Sequence, residues 1–198
     1  MNDLTTKDAG MSLVELIVGL FVAGLFAGLL AVMFVNGWNV QQRSVARDIA
    51  TGQASVLKTT MADALRNASS VRVSGSGSRV DALVAVPSTA YTGTWTWECR
   101  AWVFLDKSIR YSVGSTIRSS DPATWAAIAG KSAQRPQDTV TGKISGAPFA
   151  LVGSRGVQVG VDITVIGDRA VTVSVSDGMT AQTVATAAAL TGAPTCWN

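Results

Sequence analysis

Residues 16–35 read LIVGLFVAGLFAGLLAVMFV, twenty positions without a charge or a strongly polar side chain. Wound as an α-helix they make a rod about 30 Å long, the thickness of a bilayer hydrocarbon core. A helix that is apolar on every face needs a dry environment all round. To serve as the core helix of a soluble protein it would have to be wrapped by the rest of the chain. A chain of 198 residues leaves too little to do so. As a cleaved secretory signal it is too long, because the apolar part of such signals spans about 7–15 residues behind a positive segment. The preceding MNDLTTKDAG sets Lys7 against Asp3 and Asp8. The stretch is therefore expected to cross a membrane once.

Composition narrows the chemistry. Hydrophobic residues make up 47% and charged residues 15% of the chain, which excludes general disorder. The net charge of +3 marks no nucleic-acid face, and no specific nucleic-acid partner is expected. There is no histidine. That removes His-based acid–base catalysis, Ser–His and Cys–His nucleophiles and His metal ligation. Neither G-x-x-x-x-G-K-[ST] nor G-x-S-x-G occurs. Asp81, Glu98, Asp106, Asp121, Asp138, Asp162, Asp168 and Asp177 are scattered, and they read as solvated turn or strand residues. No catalytic residue, cofactor or metal site is assigned, and the chain is not expected to be an enzyme. Trp95, Trp97 and Trp102 are the first candidates if the molecule binds a ligand.

Just before the span stands Gly10-Met11-Ser12-Leu13-Val14-Glu15. An ionised Glu at the membrane edge is costly unless it reaches the headgroups or meets a cation at the same depth. A free amino terminus made by cutting after Gly10 would lie about one and a half helical turns from Glu15. That spacing is awkward within one helix and suits a staggered neighbour.

GMSLVELIVGL resembles the class III signal of type IV prepilins. The resemblance implies cleavage between Gly10 and Met11 by a membrane prepilin peptidase, N-methylation of Met11, and use of Glu15 as the carboxylate that recruits the subunit into a filament. It also implies other pilin subunits and an assembly platform of a pilus or secretion system as partners. The G-x-S-L-V-E-L-x-V-x-L opening and the late hairpin followed by Thr183-Val184-Ala185 are similar to PilW-like minor pilins and to the larger minor pseudopilins of type II secretion. A minor pilin that primes or tips a filament is the first reading. A pseudopilin of a secretion or DNA-uptake machine is the second. The opposing class is a surface module or enzyme that uses the helix only as a tether. Gly24 and Gly28 form a G-x-x-x-G, the spacing that lets apolar helices approach closely.

Beyond the span the pattern predicts one long helix over about 12–69. Val45, Ile49, Leu57, Met61, Leu65 and Ala68 mark its packed face, interrupted at Gly52 and Gln53. The expected organisation is a leader (1–10), a membrane or filament-core helix (11–35), its amphipathic continuation (36–70) and a β-rich head (71–198). Strands are expected over 79–86, 94–105, 108–117 and 157–165, with Asp106-Lys107 as the turn into the third and a hairpin through Gly167-Asp168 into Val171, Val173 and Val175. Residues 74–78 read as a loop, 122–129 as a short helix, 132–146 as a loop and 182–190 as a last strand. The fold class is α+β, a long N-terminal helix packed on an antiparallel sheet, which also matches the shape of the family it resembles.

Cys99 and Cys196 are the only cysteines, and in an exported domain such a pair usually forms a disulfide, the alternative being two buried thiols. Closing a loop of about 100 residues contributes up to about 4–5 kcal/mol in chain-entropy models. Arg43 and Arg47 behind the span favour a cytoplasmic C-terminus by charge counting, whereas the cysteines favour an exported head. Long domains translocate largely regardless of that bias. The expected location is the cytoplasmic membrane with the head outside, then a surface filament.

Overall fold

The computed structural model describes residues 12–87, 95–118, 121–167, 169–182 and 193–197. The chain divides into two units, Met1–Gln42 and Arg43–Asn198. One helix, α1 (Leu13–Arg66), runs through both. In the first unit it is the only described element, and from Leu13 to Val40 its side chains are solvent-exposed.

In the second unit α1 packs on antiparallel sheet, so the α+β arrangement is observed. Among the described residues nine strands follow the helix: β1 (Ala68–Ser74), β2 (Arg79–Pro87), β3 (Trp95–Leu105), β4 (Ser108–Gly114), β5 (Ala126–Gly130), β6 (Thr139–Gly142), β7 (Phe149–Val152), β8 (Gly156–Ile166) and β9 (Ala170–Thr180). β1 to β5 form one sheet in sequence order. In the other, β8 pairs with β6 and β7 along one side and with β9 along the other.

The buried helix face is Ala46, Ala50, Ala54, Leu57, Met61, Ala64 and Leu65. It differs from the expected stripe at both ends. Val45 is 50% exposed, and Ala46 faces inward instead. Ala46 and Ala50 pack with Val165, Ile49, Val171 and Val173, and small side chains there let the β8–β9 hairpin lie close to the helix. Farther along, Leu57, Met61 and Leu65 fill the main core with Val80, Val84, Trp102, Ile109, Phe149 and Val159. Gln53 does not simply break the stripe, because its Oε1 accepts a hydrogen bond from the Gly130 amide at 2.9 Å and so ties α1 to β5.

Several boundaries are corrected. The helix ends at Arg66, and Ala68 already belongs to β1, because Val71 and Val73 find partners on β2. Pro122 to Ala129 is not a helix. A single 3-10 turn, Pro122–Thr124, is capped by Asp121, and the alanine-rich segment after it pairs with β4. Such a short apolar run has no decisive period of its own, and the open edge of β4 decides its conformation. The expected loop over 132–146 contains β6, and β7 was not anticipated. Gln182 lies outside any strand, and the rest of the expected last strand, 183–190, lies outside the described residues. The turn at Asp106-Lys107 and the β8–β9 hairpin are found as expected, although Asp168 lies outside the described residues.

Gly130 has φ +78°, and a Cβ there would sit 2.4 Å from the Lys107 carbonyl oxygen. Gly130→Ala is therefore expected to lower stability by about 2 kcal/mol or more, combining left-handed strain with a backbone clash. Ala substituted at the exposed Gly146, whose φ is also positive but whose Cβ would meet nothing within 4 Å, should cost less. Denaturant unfolding of the two variants in detergent would compare them.

Candidate functional site

Of the residues singled out at the N-terminus, Glu15 falls in the first turn of α1. Gly10 and Met11 lie outside the described residues. Ser12 precedes the first helical residue, and its carbonyl oxygen accepts from the amides of Glu15 (2.9 Å) and Leu16 (3.1 Å). Ser12 is thus the N-cap position and Glu15 the third helical residue. Ser12-x-x-Glu15 is the spacing of a capping box, a local role that the sequence reading misses. A carboxylate in the first turn also lies favourably in the field of the helix N-terminus.

Beyond Glu15 the helix carries no ionisable side chain until Arg43. Leu16, Phe21, Phe26, Leu30 and Phe34 are 48–71% exposed. One window of this helix reaches a mean hydropathy of 2.7, so it is long and apolar enough to span a membrane. A Cβ at Gly24 or Gly28 would meet nothing within 4 Å. No contact within the described chain requires glycine at either place. Phe34 and Trp38 stack one turn apart, with centroids 6.4 Å apart.

In the head, Cys99 and Cys196 are bonded and buried, with Leu83, Trp97, Ala193 and Trp197 around them. The bond holds the C-terminal tail against the outer face of β3. That strand is covered on both sides over its second half. Ala101 and Val103 pack with Trp125, while Trp102 points into the main core. Trp102 is therefore not a ligand platform. It is fully buried, its ring lies 5.2 Å from that of Tyr111, and its Nε1 donates to Thr60 Oγ1 at 3.4 Å. Trp95 is 61% exposed and Trp97 half-buried.

The carboxylates are occupied structurally. Two of them, Asp81 and Asp138, are buried rather than solvated. Asp81 receives the Arg79 guanidinium, which also lies over the Trp125 ring. Asp138 accepts from the Ile166 amide at 3.0 Å and pairs with Arg135, pinning the loop before β6 to the end of β8. A buried carboxylate persists only with such partners, and a sequence does not display them. Asp106 pairs with Lys131 and Glu98 with Arg100. Asp168 lies outside the described residues.

The S-x-x-K spacing of a serine–lysine nucleophile pair occurs once, at Ser55 and Lys58 on α1. Lys58 Nζ donates to Asp177 at 2.9 Å, and no hydrogen bond joins it to Ser55. Among the described residues no group of three or more Cys, Asp or Glu converges on a metal position. No known family profile, curated protein or solved structure matches this chain.

Two predictions follow from the head. Replacing Cys196 by Ala, with Cys99 also replaced to avoid a free thiol, should cost about 2–4 kcal/mol in denaturant unfolding. The second concerns acid. The hydrogen bond from Lys58 holds the Asp177 carboxyl below its ordinary range, and the one from Ser174, helped by Lys143, does the same for Asp162. A lowered folded-state pKa stabilises above the unfolded value and stops doing so as pH falls through the folded one. Stability should hold from neutral pH to about 5 and decline below about 4. Asp162→Asn with Asp177→Asn should make that decline shallower in pH-resolved thermal unfolding.

Proposed function

We propose that this chain is a minor type IV pilin-like subunit, processed at the Gly10–Met11 bond, N-methylated on Met11 and inserted into, or placed at the tip of, a surface filament. The observation that carries the reading is the arrangement at the head of α1. A single carboxylate, Glu15, stands in the first turn of a helix that has no other ionisable group until Arg43 and whose apolar side chains are exposed. It lies four residues after Met11. An uncharged helix of this kind suits both lipid and a packing of identical helices. One surface therefore serves a subunit that is first anchored and then assembled. The glycines at 24 and 28, which nothing within the chain requires, support close approach by another helix. The buried disulfide supports an exported head, outside the cytoplasmic membrane.

A second reading is favoured by the capping position of Glu15. If that side chain only caps α1, the helix is a tether for a head of another function. The two readings separate on one atom. Glutamine caps a helix at this position nearly as well as glutamate but carries no charge.

Under the pilin reading, Glu15→Gln should abolish recovery of the protein in sheared filaments as completely as Glu15→Ala does. Under the tether reading, Glu15→Gln should behave as the parent. Intact-mass measurement of the membrane-derived protein should further show loss of residues 1–10 and one added methyl group. An uncut N-terminus removes the pilin reading.

A further inference from the structure

Arg43 and Arg47 follow the span by one short stretch of the same helix, and charge counting alone would place such residues on the cytoplasmic side. Their surroundings give them another use. Both are exposed, and four residues apart they share one face of α1. Between them Ala46 is buried against the β8–β9 turn, where a Cβ at Gly167 would lie 3.9 Å from the Ala46 Cβ. That contact brings Arg169, also exposed, to the same level of the helix. Among the described residues no ion pair includes Arg43, Arg47 or Arg169. Asp48 is exposed on the neighbouring position, and Asp168 lies in the sequence beside Arg169, so the group is basic without being isolated from acids.

Position along the helix identifies the anion. Trp38, stacked on Phe34, is the kind of side chain that marks the boundary between hydrocarbon and headgroups. Arg43 comes five residues later, about 7.5 Å of helical rise, and the headgroup layer is about 5–8 Å deep. Helical side chains lean toward the helix N-terminus, here back toward the span. The long arginine stems therefore carry their guanidinium groups toward lipid phosphates. Guanidinium binds phosphate in a bidentate fashion.

We propose that Arg43, Arg47 and Arg169 form a collar that docks on anionic phospholipid headgroups while the subunit is anchored. This rests on the reading of residues 16–35 as a membrane span. The collar sets the depth at which the helix sits, and these contacts must be broken for the subunit to leave the bilayer.

The test uses the full chain reconstituted into vesicles of phosphatidylcholine alone or with phosphatidylglycerol. A spin label is placed at Ser44→Cys, and in a second protein at Ala27→Cys. The native cysteines are bonded and do not compete. The Ser44 label is expected to lie deeper, with reduced access to a water-soluble relaxant, when phosphatidylglycerol is present. The shift should vanish at high salt and in an Arg43→Gln, Arg47→Gln, Arg169→Gln protein, while added inorganic phosphate at low concentration leaves it unchanged. The same depth in both lipids, an unaltered shift in the triple variant, or a shift removed by inorganic phosphate at matched ionic strength overturns the collar. The Ala27 label separates the two failures. If it is shielded from the relaxant, the span stands and only the collar is lost. If it is accessible, the anchoring reading falls, and the collar with it.

Discussion

A helix without a polar face has to be dehydrated by something other than its own chain. From Leu16 to Val35 no side chain carries a charge or a strongly polar group, and the large apolar ones are exposed. This constraint organises the protein. It calls for lipid or neighbouring helices around the first unit, makes the lone carboxylate at Glu15 conspicuous, and leaves the second half of α1 to support a separate folded unit.

The same helix solves two packing problems in succession. From Leu16 to Val35 its exposed surface is suited to hydrocarbon, with glycines that no internal contact requires. From Ala46 onward it becomes a scaffold element, small at Ala46, Ala50 and Ala54 where the β8–β9 hairpin lies close, and large at Leu57, Met61 and Leu65 where the core is wider. Gln53 to Gly130 and Lys58 to Asp177 add polar ties between helix and sheet. The disulfide then fixes the tail to β3, on a strand already buried on both sides by Trp102 within and Trp125 outside.

Legibility differed by element. Strands with clean alternation, such as β8, and the turn at Asp106-Lys107 were visible because their signals are local. β1, β5, β6 and β7 were not, because four to seven residues of mixed or alanine-rich sequence hold no period that separates strand from loop or helix. Each takes its conformation from a neighbour already in place. At the candidate site, Glu15 and its offset from Gly10 were readable, whereas its capping position was overlooked although Ser-x-x-Glu stands in the sequence.

The sequence by itself determined that one apolar helix opens the chain, that a β-rich unit follows, and that two cysteines are available to pair. These depend on composition and on periodicities shorter than a dozen residues. Only the tertiary structure decided which helix residues face the sheet, moving the stripe from Val45 to Ala46, and which aspartates are buried. It also decided which tryptophan is core and which strand covers which edge. Those choices depend on partners distant in the chain, and the free energy of burying a side chain is set by what surrounds it, not by what precedes it.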